Sequence, residues 1–271
     1  MKGRIFSVVS GMFLLTVCSK GNQSNVQAAP PSSSANEPAP PPAFAPAAPA
    51  ASSAVSTAGG TITGTIKFTG TAPRNPAIDM SEEAACKAKY PTAPTEENVV
   101  AGPANALANV FVYVKSGVPA GQTFTAPTTP VVLDQNGCRY HPHVLGIMVG
   151  QPFEIQNSDP LLHNIKAIAK ANRPFNVSQP NAGMKTTRTF SAPEVMVNLE
   201  CNVHGWMHAY AGVRPDPFYA VSKQDGSFTI SGLPPGTYTI EAWHEKFGTQ
   251  TATVTIAGTG TKTANFTFAA H

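Results

Sequence analysis

Residues 199–210 read LECNVHGWMHAY and gather Cys201, His204 and Met207 within seven positions. A single loop with that spacing can turn a thiol, an imidazole and a thioether toward one point. A mononuclear site needs one more donor, and it must come from another strand. The stretch DPLLHNI, residues 159–165, supplies His163 just after the strand-like PFEIQN. Two imidazoles, one thiolate and a weak thioether form the trigonal set with a long axial ligand that suits copper cycling between Cu(I) and Cu(II). Two other readings stay open. Cys201 and Met207 are residue types that often serve as plain packing. Cys201, His204 and His208 are also a zinc set, though without the second thiolate that structural zinc sites usually carry.

The surroundings of the loop are rich in β signals. Short runs of β-branched and aromatic residues punctuated by turn residues follow one another: GTITGTIKF, NVFVYV, VLGIMV, PFEIQN, HNIKAIA, TTRTF, EVMVNLE and AYAGV. After residue 217 come YAVS, GSFTI, GTYTIEAW, TQTATVTI and TANFTF. This spacing predicts β-sandwiches. The one helical hint is SEEAACKAK, residues 81–89, with Ser81 as its N-cap. Residues 59–118 offer two confident strands, too few to stand alone, and residues 217–271 offer four or five with little sequence to cover them. The two ends are therefore expected to share one core, with the middle inserted between them.

Two resemblances follow from these residues. DGSFTISGLPPGTYTIEAWHEKFGTQTATVTI, residues 225–256, resembles the second half of a carboxypeptidase-regulatory-like (transthyretin-like) β-sandwich. GTITGTIKFTGTAP and NVFVYVKSG resemble that family's opening strands. The resemblance implies a small rigid module, with Gly226, Pro234, Pro235 and Gly236 as turn formers. Residues 120–215 resemble the cupredoxins, the plastocyanin and amicyanin family, through HNI at His163 and the Cys-x-x-His-x-x-Met loop. That resemblance implies one type 1 copper ion, with His163, Cys201 and His204 equatorial and Met207 axial. It also implies that Asn164 holds the ligand loop from outside. Asn202 departs from the family, where Ser or Thr often follows the Cys.

The expected fold is all-β: a cupredoxin Greek-key β-sandwich plus a small carboxypeptidase-regulatory-like β-sandwich. Its first part spans residues 59–118, the cupredoxin-like insertion 119–216 and its second part 217–271. Ahead of them, MKGR and the 13-residue apolar run IFSVVSGMFLLTV read as a signal peptide, residues 1–17, too short for a membrane span. LLTVC resembles a bacterial lipobox ending at Cys18, with Val17 as a departure from the usual small residue. Cleavage after Ala28, behind VQA, is the other reading. Residues 18–58, rich in Ala, Pro and Ser, read as a disordered tether reaching on the order of 100 Å.

The formal charge is +3, and removal of Lys2 and Arg4 would leave +1. No strong field is available to steer nucleic acid. Of the four cysteines, Cys18 is assigned to lipidation and Cys201 to copper. Cys86 and Cys138 remain as one disulfide in an oxidising compartment. The functional expectation is an exported, lipid-anchored blue copper protein passing single electrons among envelope redox proteins of a bacterium. The alternative is a copper-delivery protein or a non-redox adhesion scaffold. An enzyme is not expected: four protein ligands leave copper no open position, and no nucleophile–base set or phosphate loop is present. A dinuclear copper centre needs two bridging thiolates, and the loop has one. A second, His-rich copper site would have to draw on His141 and His143 of CRYHPHV, which read as turn residues before VLGIMV. His208, His244 and His271 read as surface or packing residues. Trp206 marks either an exposed docking patch or a ring packed over the ligand loop.

Overall fold

Strict alternation builds the first strand. In GTITGTIKFT the side chains of Ile62, Ile66 and Phe68 face inward while Thr and Lys residues face out. The computed structural model describes residues 59–270. The signal peptide, Cys18, the tether and His271 lie outside the described residues. In chain order the elements are β1 (Gly60–Thr69), α1 (Ala84–Lys87), a 3-10 turn (Pro103–Asn105), β2 (Phe111–Ser116), β3 (Val131–Gln135), β4 (Tyr140–His141), β5 (Val144–Met148), β6 (Phe153–Asn157) and β7 (His163–Ile168). They continue with β8 (Phe175–Gln179), β9 (Lys185–Arg188), β10 (Glu194–Glu200), β11 (His208–Arg214), β12 (Tyr219–Val221), β13 (Ser227–Leu233), β14 (Gly236–His244), β15 (Gly248–Ile256), β16 (Thr261–Thr263) and β17 (Phe266–Ala269).

Two sandwiches result, and the fold is all-β apart from α1 and the 3-10 turn. The end sandwich pairs β1 with β13 on one side and with β16 and β17 on the other, against a second sheet in the order β12-β2-β14-β15. Its core takes Ile62, Ile66 and Phe68 from the start of the chain and Ile240, Ile256 and Phe268 from the end. The middle sandwich stacks β5-β11-β10-β7-β8 on β4-β3-β6-β9, around Leu133, Phe153, Ile165, Val197 and Leu199. Gly226 closes the turn before β13 with φ +74, and a Cβ there would lie 2.4 Å from the Ile66 carbonyl oxygen. Only glycine satisfies both conditions.

The stretch between β1 and β2 departs from the simple division. Ile78, Met80 and Cys86 are buried in the core of the middle sandwich, not in that of the end sandwich. The cause is covalent: Cys86 forms a disulfide with Cys138, whose Cα lies 5.7 Å away. The segment therefore crosses the middle sandwich as a strap. Ser81 does not cap α1. Glu83 holds that position without a side-chain bond, while Asp79 accepts the Ser81 N–H at 2.9 Å in a tighter local turn.

The sandwiches meet through aromatic side chains. Phe111 of β2 points away from its own core toward Gly146 of β5 and Gly212 of β11, which face each other in the parallel register. A Cβ on Gly212 would lie 2.3 Å from the Phe111 ring, so the glycine pair is the socket for that ring. Beside it, Arg214 donates to the Val114 carbonyl at 2.7 Å and sits 4.5 Å above the Tyr113 ring. Tyr113 in turn donates to Glu241. This seam fixes the hairpin between β14 and β15 against the middle sandwich.

Candidate metal centre

Register brings the site together. β7 and β10 run antiparallel, with Lys166 opposite Glu200 and Ile168 opposite Asn198. His163 opens β7, and Cys201 follows the last residue of β10, so the two occupy the same end of the sheet. The loop that follows is closed by its own backbone. Cys201 N–H donates to the Met207 carbonyl at 3.0 Å, and Met207 N–H donates to the His204 carbonyl at 2.9 Å. The N–H of His204 points at the Cys201 sulfur, 3.4 Å away. Three turns of hydrogen bonding thus fold seven residues back on themselves.

The donors converge inside the protein. The Nδ1 atoms of His163 and His204 lie 3.0 Å apart, and the Cys201 Sγ lies 3.9 Å from His204 Nδ1. Ligand atoms of all three residues fall within 4.8 Å of one another. His163, Cys201, His204 and Met207 are each no more than 5 % exposed. Asn164 also takes its expected place: its side-chain oxygen accepts the Asn202 N–H at 2.8 Å and faces Cys201 Sγ at 3.3 Å. Asn202, the departure noted in the sequence, therefore anchors the loop through its backbone, and its side chain is not needed for that bond.

Sequence reasoning missed Asp159. Its carboxylate is buried and accepts four donors: His163 Nε2 at 3.0 Å, Lys89 Nζ at 2.8 Å, Cys138 N–H at 2.7 Å and Gly137 N–H at 3.0 Å. Burial alone would raise its pKa, but the His163 and Lys89 contacts and the two backbone donors hold it well below the usual carboxylate range. Burial likewise opposes protonation of His163, and the bond to Asp159 outweighs it and raises the imidazole pKa. The bond has a structural consequence: a proton held on Nε2 leaves the Nδ1 lone pair turned toward His204 and Cys201. Burial also pushes the Cys201 thiol up, yet the imidazoles of His163 and His204 lower it to about 5. A thiol held as thiolate beside two aligned imidazoles is a donor set for a soft or borderline metal ion, so these residues fit the expected copper.

The strap covers this site from outside. His204 Nε2 lies 3.9 Å from Cys86 Sγ and 3.9 Å from a Glu83 carboxylate oxygen. Trp206 is held as a packing residue. Its indole N–H donates to the Cys138 carbonyl at 2.9 Å, and its ring lies 5.1 Å from the His204 ring. The zinc alternative of Cys201, His204 and His208 is corrected by the structure. His208 begins β11 and groups with His143 and Glu245, while Cys201 and His204 group with His163. His141 sits in β4, while His143 lies buried ahead of β5. His244 is a packing residue, stacked on Phe247 at 4.6 Å.

The middle sandwich carries the candidate ligand loop between β10 and β11, and the end sandwich draws its strands from both ends of the described residues. The Carboxypeptidase regulatory-like domain family matches residues 211–269. No curated protein matches the sequence. Among solved structures, a Cu-containing nitrite reductase from Thermus scotoductus SA-01 is 24% identical over 37% of this chain, with a TM-score of 0.31. This chain spans only 26% of that enzyme. A purple cupredoxin from Nitrosopumilus maritimus is 22% identical over 30% of this chain and 97% of its own, with a TM-score of 0.27. An amicyanin variant in its Cu(I) form is 18% identical over 38% of this chain and 98% of its own, with a TM-score of 0.28.

Proposed function

We propose that this protein is an exported one-electron carrier that holds a single type 1 copper ion on His163, Cys201, His204 and Met207. The observation that carries the reading is the buried convergence of two imidazole Nδ1 atoms on the Cys201 sulfur. Copper, when bound, supplies reversible exchange between Cu(I) and Cu(II). The chain does the rest. Asp159 keeps the His163 proton off the ligand nitrogen, Asn164 fixes the loop, and Met207, buried at the end of that loop, is the remaining thioether donor. A set of ligands locked by backbone bonds and a disulfide limits rearrangement between the two oxidation states, which speeds electron exchange. Four protein donors leave no open position for a substrate, so the reading is a carrier and not an enzyme.

Its partners are redox proteins of a bacterial envelope. Leu162 and Val203, each beside a ligand and each exposed, offer them an apolar contact. Lipid attachment at Cys18 belongs to the same proposal and would anchor the carrier to a membrane. Among the described residues no helix is long and apolar enough to cross a membrane. The test is the visible spectrum of the copper-loaded protein. An intense red-region absorption that bleaches on reduction and returns on oxidation is expected, and it should vanish in Cys201→Ser. A colourless Cu(II) complex, or stoichiometric copper transfer to an apo-partner without redox cycling, would replace this reading with copper delivery.

A further inference from the structure

A second group of donors lies at the seam between the two sandwiches. His143 precedes β5, His208 opens β11, and Glu245 sits in the turn that joins β14 to β15. One ligand atom from each falls within 4.8 Å of the other two. The side chains of His143 and Glu245 are 4 % and 5 % exposed, and that of His208 is 21 % exposed. His143 Nε2 bonds one Glu245 oxygen, and Tyr210 donates its hydroxyl to the other at 3.3 Å. The His143 and His208 rings meet edge to face at 5.1 Å. His208 Nδ1 lies 3.1 Å from the Trp206 carbonyl, which can only accept, so the proton belongs on Nδ1 and the lone pair on Nε2.

We infer that His143, His208 and Glu245 form a second mononuclear site for a divalent metal of the zinc class. Two imidazoles and one carboxylate are a recognised three-ligand set for zinc, with a fourth position left for water. A cleft of about 10 Å³ opens beside the two histidines, with Glu96, Glu97, Arg139 and Tyr140 on its walls, close to the volume one water occupies. The outer contacts are also those of a metal site: a backbone carbonyl fixes the His208 tautomer, and a tyrosine hydroxyl braces the carboxylate. Metal entry replaces the hydrogen bond between His143 and Glu245, releasing any proton that they share. Because Glu245 comes from the end sandwich and both histidines from the middle one, the ion would staple the two together. The inference does not depend on copper at the first site, since the two groups share no residue.

The test uses the full chain carrying Cys201→Ser, which removes the thiolate of the first site, titrated with Zn²⁺ by calorimetry. One saturable equivalent per chain is expected. Adding His143→Ala or Glu245→Gln should weaken that binding by about tenfold or more. No saturable equivalent, or an affinity unchanged in both double variants, would overturn the inference. If a double variant fails to fold, the Co²⁺ spectrum of the Cys201→Ser protein decides. Intense tetrahedral bands without thiolate charge transfer support the site, and weak six-coordinate bands refute it.

Discussion

Asp159→Asn is the most informative single substitution. Each carboxylate oxygen of Asp159 serves two donors: one takes Gly137 N–H and Lys89, the other Cys138 N–H and His163. An asparagine offers one oxygen and one NH₂, so whichever way the amide turns, two donors lose their acceptor. A buried donor left unsatisfied costs about 1–3 kcal/mol, and Lys89, 32 % exposed, can turn to water, so the loss is about 1–6 kcal/mol against a typical domain stability of about 5–15 kcal/mol. If the NH₂ faces His163, it demands a lone pair on Nε2. The imidazole proton then moves to Nδ1, the nitrogen aimed at Cys201. Copper affinity should fall by about 10- to 100-fold, as for the loss of other outer partners of ligating histidines. Urea unfolding and competitive Cu(I) titration measure the two effects. An unfolding midpoint and a copper affinity both equal to those of the parent protein would refute the role assigned to Asp159.

Other substitutions probe the frame around the site. Gly212→Ala places a methyl against the Phe111 ring and should destabilise the seam by about 1–3 kcal/mol in thermal unfolding, with Phe111→Ala in the same background relieving the clash. Replacing both Cys86 and Cys138 by Ser opens a link across 52 positions and should lower stability by about 4 kcal/mol on the chain-entropy account. The same variant should raise hydrogen exchange of the strap that covers His204. His244 gives a pH signature. Burial lowers its pKa to about 4, and its Nδ1 accepts the Lys246 N–H at 3.1 Å, so the folded state holds it neutral. Its unfolded value is higher, about 6.5, so unfolding takes up a proton between the two. Its contribution is therefore complete above about pH 6.5 and is lost as pH falls toward 4, a change of roughly 3 kcal/mol. Unfolding midpoints of the parent and of His244→Phe across that range should converge, with the flatter dependence in the variant.

The parts of this protein that were legible in sequence are those set by local pattern. Alternating β-branched residues announced β1, β10 and β14, and the turn at Gly226 was announced by its glycine. Phe175–Gln179 escaped notice because Asn and Ser interrupt it, although its buried positions do alternate. The ligand loop was legible because Cys201, His204 and Met207 lie within one turn of chain. His163 was reached through the residue that follows it and the strand that precedes it. Asp159 was not, since an Asp before a Pro reads as a turn former. Glu245 was invisible for a different reason: its partner His143 lies 102 positions away, in the other sandwich. The disulfide was expected by elimination, once Cys18 was assigned to a lipid and Cys201 to copper. What that elimination could not show is that the disulfide straps residues 76–90 across His204.

The central claim is that one sulfur and two imidazoles share a single ion. X-ray absorption fine structure on the copper-loaded full chain tests it most directly. The account predicts a shell of one short copper–sulfur and two copper–nitrogen contacts, with the sulfur lost in Cys201→Ser and one nitrogen lost in His163→Ala. A shell of nitrogen and oxygen alone, unchanged by Cys201→Ser, would contradict it.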